Sequence, residues 1–361
     1  MSKGNILLCA GGTGGHLFPA EAVAHELKKR GYTIHLAADD RVERFADNFP
    51  AEAIHQIKSS TLGSKNPFAI FKAVKSLWQG YKQSRILLAK LQPVAVAGFG
   101  GYPTVPPLLA ATRLGIPTLV HEANAVLGRA NRLLSGKVNK VAIGFGETKH
   151  IGEAQVNITG NPVRPEILKA AIHNYPQRTV EAKFNLLIFG GSQGAAYFSE
   201  VLPQACKLLS DAECKLINIV QQARPEDKDG LVKSYKELNI EAEVESFFGD
   251  MASKLQAAHL IISRAGASTV SELSVMGRPS ILVPYPHALD HDQATNAAAV
   301  ANEGGATLFK QSALTPKLLA DELSRAIADP KRLALAAKNA KKTGKPDATK
   351  ALANMLEALA V

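Results

Sequence analysis

The chain has 361 residues, 46% of them apolar and 20% charged, and a formal net charge of +10. That length exceeds one ordinary core and points to about two domains, and the composition excludes a disordered protein. The basic excess points to an anionic partner, and three cysteines without metal or redox spacing, Cys9, Cys206 and Cys214, fit a reducing compartment.

The first strand is expected at Ile6–Ala10, within a few residues of Met1, so no secretory signal is expected. No apolar run reaches the roughly 18 residues of a spanning helix. Gly11-Gly12-Thr13-Gly14-Gly15-His16 follows that strand, and Leu17–Arg30 has the period of a helix stopped by Gly31. Strand, glycine turn and helix aim backbone N–H groups at an anion, usually phosphate. His16 sits where the turn becomes the helix and is placed to move a proton. The plainer reading is a glycine turn of an α/β domain with a solvated histidine. A dinucleotide fingerprint fits poorly, because its third glycine falls on Leu17, although Asp39 and Asp40 lie where a ribose acid would stand. No P-loop pattern is present.

Further strands are predicted at Thr33–Ala38, Ala53–Ile57, Val94–Phe99, Pro117–Val120, Lys140–Phe145 and Gln155–Thr159, with a long helix over Pro67–Leu91. This alternation predicts a doubly wound parallel sheet, with ligands at the carboxyl ends of its strands. His16, Tyr102, Glu122 and Asn124 are all expected just past such ends. From Ala53 to His121 there is no Asp or Glu, yet Lys58, Lys65, Lys72, Lys75, Lys82, Arg85, Lys90 and Arg113 are present. Ile70, Phe71, Val74, Leu77, Trp78 and Tyr81 fall near helical spacing within it. That stripe either packs on the sheet or, with the lysines, forms a surface for anionic lipid.

Gly160-Asn161-Pro162-Val163-Arg164-Pro165 reads as a linker, and the stretch to Arg178 as irregular. The plan then starts again: a strand at Asn185–Phe189 and a second glycine turn, Gly190-Gly191-Ser192-Gln193-Gly194, opening a helix. Strands follow at Leu216–Val220, Ala242–Phe247, Leu260–Ser263 and Ser280–Pro284. Arg264-Ala265-Gly266 opens a helix that carries Glu272, which reads equally as a ribose acceptor or a solvated residue. Asp290–Asn302 is expected to be helical, with Asp290 and Asp292 as helix-start acids rather than metal ligands. From Pro316 on the chain reads as Ala-, Leu- and Lys-rich helix. No nucleic-acid module is legible.

GGTGGHLFPA, GFGGYPTVP, HEANAVLGRAN, GNPVR, FGGSQGA, RAGASTVSEL and HALDHDQATNA stand in the order and spacing of the MurG family, and the resemblance covers essentially the whole chain. It implies a GT-B fold: two Rossmann-like domains facing each other across a cleft, here residues 1–162 and 163–343, with a last helix at about 344–361 returning to the first. It implies inverting, metal- and cofactor-independent transfer of N-acetylglucosamine from UDP-N-acetylglucosamine to the 4-hydroxyl of the muramoyl sugar of lipid I, at the cytoplasmic face of the bacterial membrane. Lipid II and UDP are the products.

Carried over by motif, Thr13, Gly14, Gly15, Asn124, Arg164, Ser192, Phe248, Ala267, Ser268, Thr269, Val270, Ser271, Glu272 and Gln293 would hold the donor. Glu272 would take the ribose, and Phe248 the uracil through its backbone. Gly12, Gly14, Gly15, Gly100 and Gly101 would face the lipid diphosphate. His16 is the candidate base, with Glu122 and Tyr102 as further catalytic candidates. Asp292 departs from the Gln or His that many relatives carry before Gln293. Phe71, Lys72, Lys75, Trp78, Lys82 and Arg85 would contact an anionic membrane, and partners in the cell-wall and division machinery fit the same setting. The alternatives are another glycolipid glycosyltransferase of this fold, acting on diacylglycerol for example, and a non-catalytic nucleotide-sugar sensor.

Overall fold

The computed structural model describes residues 2–44, 49–61, 66–288 and 291–360, without the side chains of 43, 44 and 191–195. The chain divides into two compact units, Met1–Arg164 with Lys345–Val361, and Pro165–Gly344.

In unit 1 the order is β1 (Asn5–Cys9), α1 (Gly14–Lys29), β2 (Thr33–Ala38), β3 (Ala53–Gln56), α2 (Pro67–Leu91), β4 (Ala95–Gly98), α3 (Val105–Arg113), β5 (Thr118–Glu122), α4 (Arg129–Leu134), β6 (Lys140–Ile143) and β7 (Val156–Ile158). The strands form one parallel sheet in the order β3-β2-β1-β4-β5-β6-β7. Parallel strands covered on both faces must be apolar throughout, and Ile6 to Cys9 and Ala95 to Gly98 are all buried. The strand order reverses between β1 and β4, where Ile6 pairs with Ala95 and Cys9 with Gly98. Both glycine runs of this unit leave the sheet there, at the position where such sheets bind ligands.

Unit 2 repeats the plan: α5 (Pro165–Ala170), β8 (Phe184–Phe189), α6 (Gly191–Cys206), α7 (Asp211–Leu216), β9 (Ile217–Gln222), α8 (Lys228–Glu237), β10 (Glu241–Glu245), α9 (Met251–Ala257), β11 (Leu260–Ser263), α10 (Ala267–Met276), β12 (Ser280–Leu282), α11 (Asp292–Ala301), β13 (Ala306–Leu308), α12 (Pro316–Ala328) and α13 (Pro330–Thr343). Its parallel sheet runs β10-β9-β8-β11-β12-β13, reversing between β8 and β11. The turns after those two strands open α6 and α10.

The last helix, α14 (Ala348–Leu359), belongs to unit 1. Its Leu352, Ala353 and Leu356 are fully buried in one core with Ile6, Leu8, Leu17 and Leu27. Arg30, the C-cap of α1, donates to Glu357 at 2.6 Å and to Asn354 at 2.7 Å.

Several boundaries differ from the sequence reading. Gly14 and Gly15 lie inside the first turn of α1, so the turn proper is shorter than the glycine run. The fifth strand runs through His121 and Glu122, which are buried in the sheet rather than beyond it. Part of the stretch read as irregular is helix α5, stopped by Ala170. β13 has no counterpart in the sequence reading, being three half-buried residues after Gly304-Gly305.

Candidate active site

In unit 1 the two glycine loops are bonded to each other. Gly11 N–H donates to Gly100 O at 3.0 Å, and Phe99 N–H to Cys9 O at 2.8 Å. Gly100 and Gly101 have φ of +96° and +81°, which glycine adopts without strain. They and Gly11 form a cradle for the His16 ring. A Cβ on Gly100 would lie 2.9 Å from His16 Cδ2, and one on Gly11 3.0 Å from Nδ1. By surface area His16 is half-buried, but its ring is enclosed by this backbone. Burial, with Arg41 adding to it and Asp39 opposing, pulls its pKa down to about 4. The imidazole is therefore neutral near neutral pH.

Thr13 is the N-cap of α1, but its side chain does not cap the helix. Its Oγ1 instead lies 3.1 Å from His16 Nδ1. If Nδ1–H donates to that oxygen, Nε2 carries the lone pair that a base needs. The first turn of α1 holds no acid, so its N–H end is open to an anion. Gly15 faces open space, with no atom within 4 Å of a built Cβ. Gly12 does not: a Cβ there would run into Asp39, Arg41 and Val42, so the close approach of that segment requires glycine. Asp39 in turn accepts from Arg41 at 2.5 and 3.1 Å.

Glu122 closes the end of β5. It is 5% exposed, and both carboxylate oxygens are occupied. Oε1 accepts from Asn124 N–H at 3.0 Å and Asn124 Nδ2 at 3.3 Å; Oε2 accepts from Gly128 N–H at 2.7 Å and Asn131 Nδ2 at 2.9 Å. Burial raises its pKa against these hydrogen bonds. The geometry is that of a brace for the loop after β5, and Asn124 is held within it. Asn161 Nδ2 adds a bond to Ala123 O at 2.8 Å. Tyr102 is half-buried against the unit 1 core, and Arg164, also half-buried, is the last residue of unit 1 before α5.

In unit 2, α10 starts at an extended Gly266 with no side-chain cap and no acid in its first turn. Ala267 and Val270 are buried, Ser268, Thr269 and Ser271 half-buried. Glu272, one turn on, is buried, so it is not a solvated helix residue. The turn itself is gripped by two side chains of α11. Gln293 Oε1 accepts from Ala265 N–H at 3.2 Å and from Tyr285 N–H at 2.9 Å. Asn296 Nδ2 donates to Ala265 O at 3.2 Å. A ligand contact through Gln293 therefore falls to its Nε2. Asp292 Oδ1 accepts from Gln293 N–H at 2.7 Å, as a helix-start acid does. Asp290 and Lys65 lie outside the described residues, as does the Ser192 side chain. Among the described residues no group of three His, Cys, Asp or Glu side chains is arranged to hold a metal.

Arg264, just before this turn, is buried with its guanidinium 5.0 to 5.6 Å from the rings of Phe198, Tyr197 and Tyr285. Phe248 is buried and its neighbour Phe247 is 79% exposed. Asn131, Asn296 and Arg264 had no role in the sequence reading. The spacing of Gln293 and Asn296, three apart on one helix face, was the available signal for the α11 grip.

On α2 the aromatic stripe faces outward. Phe71 is 68% and Trp78 54% exposed, and Lys72, Lys75, Lys82 and Arg85 are exposed beside them. Lys82 Nζ lies 5.4 Å from the Trp78 ring, which stacks on Tyr81. The buried residues of α2 are Ala73, Gly80, Ser84 and Leu88.

Two doubly wound units, each with an open helix N-terminus at its switch point, are the architecture of the GT-B class, to which many glycosyltransferases belong. Residues 6–143 match the glycosyltransferase family 28 N-terminal domain, and residues 185–352 its C-terminal domain. The chain belongs to the MurG family. It is 55% identical over 361 residues to an Agrobacterium fabrum protein named UDP-N-acetylglucosamine--N-acetylmuramyl-(pentapeptide) pyrophosphoryl-undecaprenol N-acetylglucosamine transferase, covering 100% of this chain and 96% of the relative. A Rhizobium meliloti protein of the same name is also 55% identical, with the same coverage. The crystal structure of Acinetobacter baumannii MurG aligns with a TM-score of 0.82 at 31% identity, covering 98% of this chain and 99% of that one. A kitacinnamycin glycosyltransferase, at 17% identity and a TM-score of 0.72, shares the fold.

Proposed function

We propose that this protein transfers N-acetylglucosamine from UDP-N-acetylglucosamine to the 4-hydroxyl of the MurNAc-pentapeptide of lipid I, giving lipid II and UDP for peptidoglycan synthesis. The full-length identity to relatives named for this reaction carries the reading. It favours lipid I over another glycolipid acceptor, and catalysis over sensing alone.

The acceptor hydroxyl attacks the anomeric carbon from the side opposite UDP, so one displacement inverts that centre. His16 takes the hydroxyl proton at Nε2, with Thr13 holding the tautomer through Nδ1. A pKa of about 4 makes the free imidazole a weak base, and an arriving diphosphate raises it toward the useful range. The uncapped first turn of α10, Ala267 to Val270, receives the charge that builds on the departing diphosphate. Glu272 accepts from the ribose hydroxyls, and Phe248 meets uracil through its backbone. Ser192, Arg164, Asn124, Thr13, Gly14, Gly15 and Gln293 complete the donor contacts. Gly12, Gly14, Gly15, Gly100 and Gly101 face the lipid diphosphate.

The protein works as a peripheral protein at the cytoplasmic face of the membrane. Among the described residues no helix is long and apolar enough to cross a bilayer. The exposed aromatic and basic side of α2 supports attachment to anionic lipid, each basic residue contributing about 1 kcal/mol near the surface. Such a site leaves the protein open to partners of the cell-wall and division machinery.

Mass spectrometry of products formed from UDP-N-acetylglucosamine with lipid I or with diacylglycerol tests the reading. Lipid II is the expected product. A glycosylated diacylglycerol, or UDP binding without any product, would overturn it.

A further inference from the structure

Arg278 is the largest fully buried side chain of the described residues. All three of its guanidinium nitrogens donate to backbone carbonyls. Nε reaches Leu255 O at 2.8 Å and Nη2 reaches Gln256 O at 3.1 Å, both in the last turn of α9. Nη1 reaches Met276 O at 2.8 Å and Gly277 O at 3.3 Å, at the end of α10. The last carbonyls of a helix lack partners within it and carry its negative end. One guanidinium thus closes two helices at once. The Tyr175 ring lies 5.8 Å away, and no carboxylate is paired with Arg278 among the described residues. Burial pulls its pKa down to about 10, which leaves it charged near neutral pH.

Stability alone gives little reason for this residue. Taking a cation out of water is costly, and that cost offsets much of what closing the four carbonyls gains. What the planar fork adds is directional bonding to two elements in a fixed relation. The front ends of those two elements are the ones that matter to the donor. α9 follows the Ser246–Asp250 stretch that carries Phe248, and α10 opens at Gly266. Both helices are short, about 10 and 15 Å, so a shift at the rear is carried to the front.

We infer that Arg278 is a positioning residue that fixes the spacing between the base-binding and the diphosphate-binding parts of the donor site. The inference rests on the donor placement proposed above. A nucleotide that spans both parts depends on their separation, whereas a fragment that fills only one does not.

The test compares UDP with uridine and with pyrophosphate by calorimetry, using the full chain and its Arg278→Met and Arg278→Lys variants, with circular dichroism to follow folding. Arg278→Met is expected to weaken UDP about tenfold while each fragment stays within about twofold, because only the linked ligand loses its fit. The acceptor KM stays unchanged. Arg278→Lys keeps a charge but cannot span both helices, so it shows the same pattern at a smaller factor. It decides the matter if Arg278→Met does not fold. Equal loss for UDP and uridine, or a lower melting temperature with unchanged UDP affinity, would overturn the inference. Failure of the unmodified chain to bind UDP would overturn the donor reading itself, and this inference with it.

Discussion

Asn131 Nδ2 lies 2.9 Å from Glu122 Oε2, across nine positions of chain. The same amide donates to His121 O at 3.1 Å, so Asn131 of α4 is bonded both to the end of β5 and to the carboxylate that organises the loop after it.

This arrangement gives the Glu122 carboxyl group a structural role, as acceptor of the N–H groups of the loop after β5. Glu122→Ala is expected to lower stability by about 1–3 kcal/mol, because the N–H groups of Asn124 and Gly128 lose their acceptor. Asn131→Ala should cost a similar amount, and the double variant less than the sum of the two. Chemical denaturation measures all three. A Glu122→Ala protein of unchanged stability and abolished turnover would return Glu122 to the chemistry.

Gly100 sets the place of His16. Gly100→Ala forces a Cβ against the imidazole at a φ of +96°. Turnover is expected to fall on the order of 100-fold through misplacement of the base, while the Kd for UDP changes less than about twofold. Gly15→Ala meets no atom within 4 Å and should leave the melting temperature unchanged. Steady-state kinetics and calorimetry separate these outcomes.

His16, His121 and His259 are each pulled from 6.5 to about 4, by burial first in every case. The unfolded chain therefore binds more protons than the folded one between those values. Their contribution to stability is complete above pH 6.5 and is lost as pH falls toward 4. The melting temperature should drop on the order of 10 °C between about pH 7 and pH 5. His259→Phe removes one of the three groups and should flatten the slope. In kcat/KM for the donor, which reports the free enzyme, the acid limb that belongs to His16 should appear well below 6.5.

Membrane attachment through α2 predicts salt-sensitive binding to anionic vesicles. Replacing Lys72, Lys75 and Lys82 by Glu should abolish sedimentation with such vesicles, since each loses about 1 kcal/mol of attraction and gains repulsion. Activity on membrane-embedded lipid I should fall, and activity on a short-chain soluble acceptor should persist. Equal loss on both acceptors would assign these lysines to the fold or the site instead.

The repeated strand, glycine turn and helix were legible because buried parallel strands are continuous apolar runs and glycine is the residue such turns need. Strand order was not, since periodicity carries no information about neighbours. The bracing role of Glu122 is not legible in the sequence because its clamp, Asn124, Gly128 and Asn131, exists only once α4 has turned back on β5. The His16 cradle likewise joins Gly11 to Gly100 across the sheet. On α2 the pattern gave a stripe but not which side is covered. Most of the covered side, Ala73, Gly80 and Ser84 with Leu88 beyond them, is small because the helix comes close: a Cβ on Gly80 would run into Lys58 O. The large aromatics are therefore left outside.

The return of α14 to unit 1 also orders events during synthesis. Arg30 and Glu357, bonded at 2.6 Å, are 327 positions apart, and Leu352 and Leu356 fill a core begun by Ile6 and Leu8. All of unit 2 is made between them. Unit 2 is a single stretch of chain, so its core closes without waiting for α14. Unit 1 emerges first but keeps an open apolar face until α14 arrives, and in that interval it is the part of the nascent chain most exposed to aggregation and chaperone capture.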